Sequence, residues 1–219
     1  MPDLPNPVIA VDGTAASGKS TFSRQLAEKL GYVYINTGAM YRGVTWYLLS
    51  KKLPLTDFDM VGREVDRAGV ETRIENGELA FFVAGQDPLP HVREGRINEG
   101  VSMVAQVALV RRLLVAQQQK LVEQAPLVME GRDIGTVVFP QTPYKFFLDA
   151  SAEVRAQRRY EQGEVDMIHK RDTIDLQRST SPLMCAANAL RLDSGSASVE
   201  ELVDMALQHL AKLGLKDLA

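Results

Sequence analysis

The sequence predicts an α/β fold: a parallel sheet with helices on both faces and a small antiparallel lobe inserted into it. Three observations carry this. Short β-branched apolar runs alternate with stretches of helical periodicity along most of the 219 residues. The first run, "VIAVD" (8–12), leads directly into the small-residue segment "GTAASGKS" (13–20). In the middle of the chain Asn76-Gly77, the preferred dipeptide of a tight hairpin, separates two strand-like runs.

Each element follows from local chemistry. "VIAVD" lies between Pro7 and Gly13 and reads as a strand, and "STFSRQLAEKLG" as a helix that stops at Gly31. "YVYI" (32–35) is a second strand, followed by helical "GAMYRGVTWYLLSKK", which ends before Pro54. "LTDFDMVGREVDRAG" is a short helix with Thr56 or Asp57 as its N-cap. "GVETRI" (69–74) and "LAFFVAG" (79–85) form the hairpin. Residues 93–124 read as helical up to Pro126; "LVME" (127–130) and "KFFLD" (145–149) supply further strands, with helical "SAEVRAQRRYEQ" after the second. "ALRLD" (189–193) is a last strand and "SVEELVDMALQHLAKLG" a closing amphipathic helix.

At 45% hydrophobic and 24% charged residues, the composition suits a globular chain with one substantial core. The net charge of -3 gives no general attraction to nucleic acid or anionic membrane, so a small-molecule partner is expected. One cysteine, Cys185, closes no internal disulfide, and His91, His169 and His209 lack the spacing of zinc ligands. With no leader-like start and no apolar stretch of about 18 residues, a cytoplasmic location is expected.

Gly13, Gly18, Lys19 and Ser20 satisfy G-x-x-x-x-G-K-[ST], with a strand before and a helix after. Chance yields those four positions in about one chain in a hundred of this length. Small residues let successive backbone N–H groups turn inward around phosphate oxygens, and the helix adds its positive end. This predicts an ATP site of Gly13, Thr14, Ala15, Ala16, Ser17, Gly18, Lys19, Ser20 and Thr21, with Lys19 on the β- and γ-phosphates and Ser20 on Mg2+. A GTP-dependent switch is disfavoured, because the late "HKRD" (169–172) does not fit N-K-x-D or T-K-x-D. Glu130, at the end of "LVME", is either a metal-assisting carboxylate or an ordinary acidic turn.

Arginines supply the second clue. Arg171, Asp175 and Arg178 fall at i, i+4 and i+7 of "MIHKRDTIDLQR", and Arg155, Arg158 and Arg159 crowd another helix flank. Either set alone is an ordinary solvated face. Beside a phosphate loop, guanidinium groups are suited to holding phosphates and spreading the charge of a phosphoryl group in transfer.

Taken together, "VDGTAASGKST", "NTGAMYR", "VSMVAQVALVR", "EGRDIGTVVFP", "FLDASAEVRAQRR", "KRDTIDLQR" and "LDS" resemble the bacterial cytidylate kinases, the (d)CMP kinases, from about residue 8 to the last helix. The resemblance implies a P-loop fold with a five-stranded parallel sheet, an enlarged acceptor insert carrying the β lobe, and a helical lid. It implies a core of residues 1–36, 106–150 and 179–219, an acceptor region 37–105 and a lid 151–178, acting as a monomer. It also implies transfer of the γ-phosphoryl group of ATP to CMP or dCMP. Thr37, Arg42 and Arg132 would then attend the acceptor phosphate. Ser102, Arg111, Asp133 and Arg178 would surround the cytosine, Arg171 and Asp175 would reach the ribose and phosphate, and Arg155 and Arg159 would belong to the lid. Thr37 and Ser102 also suit helix caps, and Asp133 also suits a turn paired with Arg132. A kinase of another small acceptor and an ATP-driven switch are the competing classes.

The chain departs from many relatives at Thr14 and Ala108, where they carry proline. The second departure sharpens a geometric demand. Residues 102 and 111 are nine apart and sit on opposite faces of one straight helix, so a shared role requires a helix junction near 104–109.

Overall fold

The computed structural model describes residues 4–92, 94–161 and 183–215. The chain divides into two compact units, Met1–Ile35 with Pro126–Ala219, and Asn36–Ala125.

The first unit holds a five-stranded sheet in the order β2-β5-β1-β6-β7. Its strands are β1 (Val8–Gly13), β2 (Val33–Asn36), β5 (Leu127–Glu130), β6 (Lys145–Asp149) and β7 (Leu190–Asp193). β1 is central and wholly buried, and pairs in parallel with β5 and β6. This is why its first four residues, Val8 to Val11, are continuously apolar rather than alternating. The register sets Val11 opposite Glu130 and Gly13 opposite Leu148, so the carboxyl ends of the three strands share one edge of the sheet. Ligands of open α/β sheets bind at such an edge. Helices α1 (Lys19–Leu30) and α7 (Val199–Lys212) are in this unit, and the core joins Ile9 and Val11 to Phe22, Leu26, Phe146, Leu202 and Leu210. Phe22 and Phe146 meet edge to face at 5.9 Å between ring centres. α7 opens with a capping box in which Ser198 accepts from the Glu201 N–H and the Glu201 carboxylate accepts from the Ser198 N–H.

The second unit contains α2 (Thr37–Ser50), α3 (Phe58–Ala68), the hairpin of β3 (Val70–Glu75) and β4 (Glu78–Val83), α4 (Gly95–Val104) and α5 (Ala108–Lys120). Asn76 and Gly77 take φ of 52° and 78°, the pair of left-handed residues that a type I′ turn requires. Asp57, not Thr56, caps α3, accepting from the Met60 N–H at 2.9 Å. The hairpin is fastened to α5 and the turn after it. Gln117 Oε1 accepts from the Thr72 N–H at 3.2 Å and Gln124 Oε1 from the Ile74 N–H at 2.8 Å, which satisfies donors on an edge strand. Residues 106–125, which the resemblance assigns to the core, group instead with the hairpin unit, because α5 packs on α3 and β3.

The expected junction is present. α4 ends at Val104, α5 begins at Ala108, and Val107 between them is extended, with φ -72° and ψ 111°. Side chains do what proline would otherwise do. Gln106 donates to the Ser102 carbonyl at 3.1 Å and Arg111 to the Ala105 carbonyl at 3.3 Å, occupying carbonyls that a broken helix leaves without partners. Of the expected lid, α6 (Ala152–Glu161) is described. Residues 162–178 lie outside the described residues, and with them Arg171, Asp175 and Arg178. Among the described residues no helix is long and apolar enough to cross a membrane.

Candidate active site

The loop after β1 takes backbone conformations that small residues and glycine permit. Gly13 has φ 151°, and a Cβ there would lie 1.9 Å from the Leu148 carbonyl oxygen, so only glycine fits. Ala16 and Gly18 follow with φ of 58° and 80°, giving the alternating conformation that turns successive N–H groups into a concave nest. α1 starts at Lys19 behind Gly18, which has no side chain to cap it, and its first turn carries no acidic residue. Its leading amides and positive dipole end are therefore suited to an anion from outside the chain.

The carbonyls of the same loop are held from the other side. Thr14 O accepts from the Ser17 hydroxyl at 3.0 Å and from the Lys19 ammonium. Ala15 O accepts from Arg155 at 3.3 Å, Ala16 O from Arg158 at 3.4 Å, and Ser17 O from the Ser194 hydroxyl at 2.8 Å. Four consecutive carbonyls thus have donors. Thr14 also donates through its hydroxyl to Asp149 at 2.8 Å. Ser20 and Thr21 are exposed on the first turn of α1.

The arginines of α6 divide differently from the sequence expectation. Arg155, expected in a lid, is buried and donates to the carbonyls of Ala150 and Ala15. Arg158, to which the resemblance assigns no role, bridges Ala16 O to Ser194, whose carbonyl accepts at 2.6 Å. Arg159 is half-buried on the same helix.

Glu130, Arg132 and Asp133 follow at and just after the end of β5. Glu130 is buried at the end of β5 and accepts from the Tyr34 hydroxyl, and Arg24 lies over the Tyr34 ring at 5.3 Å. Arg132 is half-buried, and Asp133 is buried ahead of a single π-helical turn, Ile134–Val138. That turn closes on the Asp133 carbonyl, which accepts from Val137 and Val138 at 2.8 and 3.2 Å. Sequence reading missed Asp12, whose carboxylate oxygens accept from the Ile134 and Gly135 amides at 2.8 Å each. Burial pushes its carboxyl up to about 6, against the lowering effect of those amides. The signal available in the sequence was an acidic residue ending an otherwise apolar central strand.

In the hairpin unit, Thr37 is the first residue of α2 and is not its cap; Asn36 is, accepting from the Ala39 N–H at 3.0 Å. Arg42, one turn along, crowds the same helix start, since a Cβ on Gly38 would meet its guanidinium at 3.3 Å. Ser102 lies inside α4 and is not a cap either. Arg111 is buried with its guanidinium 5.6 Å from the Tyr41 ring centre, a cation–π distance. The helix junction that a shared role for Ser102 and Arg111 demands is therefore in place.

Comparison with known proteins gives these features a family. A gluconokinase from Sinorhizobium meliloti 1021 shares the fold, with a TM-score of 0.52 at 19% identity over 97% of this chain and 95% of its own. The cytidylate kinase of Bacillus subtilis (strain 168) is 40% identical over 211 residues, 91% of this chain and 94% of that protein. The cytidylate kinase of Fusobacterium nucleatum subsp. nucleatum is 37% identical over 221 residues, 96% of this chain and 100% of that protein. The family model described as cytidylate kinase matches residues 9–212, and with identities near 40% over nearly the whole length the chain belongs to the cytidylate kinase family.

Proposed function

We propose that the chain transfers the γ-phosphoryl group of ATP to the 5′-phosphate of CMP or dCMP, giving ADP and CDP or dCDP. The observation that carries this reading is the loop at 13–18, whose positive-φ positions suit a nest of amides and whose four carbonyls from Thr14 to Ser17 each have a donor, in a chain of the cytidylate kinase family.

The nucleophile is an ionised phosphate oxygen, so no strong general base is required and catalysis reduces to alignment and charge screening. The loop amides hold the ATP phosphates and Lys19 leans on the β- and γ-oxygens. The exposed Ser20 hydroxyl would hold magnesium, which would supply charge neutralisation at the phosphates. Arg155 and Arg158 stiffen the loop through its carbonyls, and Arg159 and Arg171 carry positive charge toward the transferring group. From the hairpin unit, Thr37 and Arg42 hold the acceptor phosphate and Ser102 and Arg111 the base. From the loop unit, Arg132 serves the phosphate and Asp133 the base. Arg178 joins them at the base, and Asp175 takes a sugar hydroxyl. The Asp133 carboxylate accepts from the exocyclic amino group of cytosine; uracil presents an oxygen there, and two acceptors would face each other.

An alcohol acceptor would call for a base to remove its proton. Asp12, the carboxylate at the mouth of the loop, is engaged through both oxygens by backbone amides, which favours a phosphate acceptor. The enzyme acts on these nucleotides as a cytoplasmic monomer, with no role for nucleic acid.

The test is ADP release with CMP, dCMP, UMP and AMP offered separately in the presence of magnesium. CMP and dCMP should each exceed UMP and AMP in kcat/KM by at least about tenfold, the effect of one mispaired polar group in a buried site. Equal rates with UMP would remove Asp133 from base recognition, and ADP release without any acceptor would remove the kinase reading.

A further inference from the structure

Asp12 is buried and stands 122 residues from Ile134 in sequence, yet its carboxylate bonds the turn that follows Asp133. Each oxygen takes one amide: Oδ1 that of Ile134 and Oδ2 that of Gly135, both at 2.8 Å. These are the leading N–H groups of the π-helical turn Ile134–Val138, which the side chain of Asp133 does not cap. Asp12 supplies the cap from another strand. The turn closes tightly on it, because a Cβ at Gly135 would lie 3.3 Å from Asp12 Oδ2 and 3.0 Å from the Lys145 side chain. In the other direction, Asp12 is joined by a peptide bond to Gly13, where the phosphate nest begins.

We infer that Asp12 is a positioning residue for acceptor recognition: by capping the turn after Asp133 from the strand that opens the donor loop, it sets the Asp133 carboxylate toward the cytosine edge. This rests on the assignment of Asp133 to the base. Removing one of two charge-assisted bonds leaves a buried amide without its acceptor and lets the turn shift, which degrades a contact whose geometry decides between an amino group and an oxygen. The donor loop keeps its own amides and carbonyl partners.

The experiment compares the intact enzyme with Asp12→Asn, which keeps size but presents an NH2 group to one of the two amides. Steady-state kinetics are run with CMP and UMP at saturating ATP, and with varied ATP at saturating CMP. The ratio of kcat/KM for CMP over UMP should fall about tenfold while KM for ATP stays within about twofold. An unchanged CMP:UMP ratio, or an equal loss toward ATP and CMP, overturns the inference, since a merely structural residue would weaken both sides alike. If Asp12→Asn does not fold, Gly135→Ala displaces the turn from its other side and must show the same asymmetry; a symmetric loss there also overturns it. Asp133→Asn separates the two readings. Should Asp133→Asn retain full preference for CMP, the base assignment itself fails; should it lose that preference while Asp12→Asn keeps it, only the role of Asp12 fails.

Discussion

The two units of this chain are stabilised by different means. The phosphate-loop unit buries Asp12, Lys19, Glu130, Asp133, Lys145 and Arg155, whereas among the described residues of the hairpin unit Arg111 is the charged side chain that is buried. Several charges of the first unit are tied to the main chain. Asp12 takes two amides, Arg155 gives to two carbonyls, and Lys145 donates to Pro140 O at 2.8 Å and to Asn188 Oδ1 at 3.0 Å. Burying an ion is costly unless hydrogen bonds replace its water. A unit that must meet phosphate with fixed charge accepts that cost; the hairpin unit instead closes a core of Met40, Val44, Phe81, Val104 and Leu114 by apolar packing. The first unit should therefore be sensitive to removal of charge, the second to removal of volume.

The largest expected effect is on the apolar side. Phe81 is fully buried, with its ring close enough to Gly43 that a Cβ there would lie 2.8 Å away, so Phe81→Ala should lower unfolding stability by about 3–5 kcal/mol in denaturant titrations. A loss under about 1 kcal/mol would mean the hairpin core collapses to fill the space, and the contrast between the units would weaken. Next comes Lys19→Met, which keeps most of the volume and removes the charge. Turnover should fall by about a hundred- to a thousandfold, as for loss of one preorganised electrostatic contact, and the thermal midpoint should fall as well, because Thr14 O loses the ammonium as a donor.

Burial raises the Asp12 carboxyl from its ordinary 3.8 to about 6. The folded chain therefore holds that proton more tightly than the unfolded chain does. The resulting stability is fully present below pH 3.8 and is lost as pH rises through 6. Asp12→Asn should remove up to about 3 kcal/mol from the change in unfolding free energy between pH 3.8 and 7, read by denaturation at a series of pH values. An unaltered pH dependence would show that the buried carboxyl is not the source. The smallest effect is local: Ser198→Ala deletes the cap of α7 and should cost about 1 kcal/mol without altering the KM for either substrate.

Much of this architecture was legible from the chain. The hairpin turn at Asn76-Gly77 and the N-cap at Asp57 follow from side-chain and backbone preferences acting over four residues or fewer. The junction between α4 and α5 followed from asking what Ser102 and Arg111 would need in order to share a role. Other choices were closer. Asn36 and Thr37 can both cap a helix, and which one does so depends on where the chain leaves β2. That α5 joins the hairpin unit depends on a helix face meeting Thr72, which the apolar pattern of α5 does not name. The arginines of α6 look equivalent in sequence, but a difference of three positions sends Arg155 to Ala15 and Arg158 to Ala16 and Ser194.

The sequence by itself determined the strand–loop–helix start, the glycines that the nest requires, the order of the elements and the family, because each is written in short-range spacing or in motifs of contiguous residues. Tertiary structure alone decided that Asp12 caps a turn 122 residues away, that Arg155 supports a carbonyl 140 residues back, and that Ser194 holds one 177 residues back. Such bonds join groups whose separation along the chain follows no period. They are chosen only when the sheet register brings strand ends to a common edge and every buried polar atom there must find a partner.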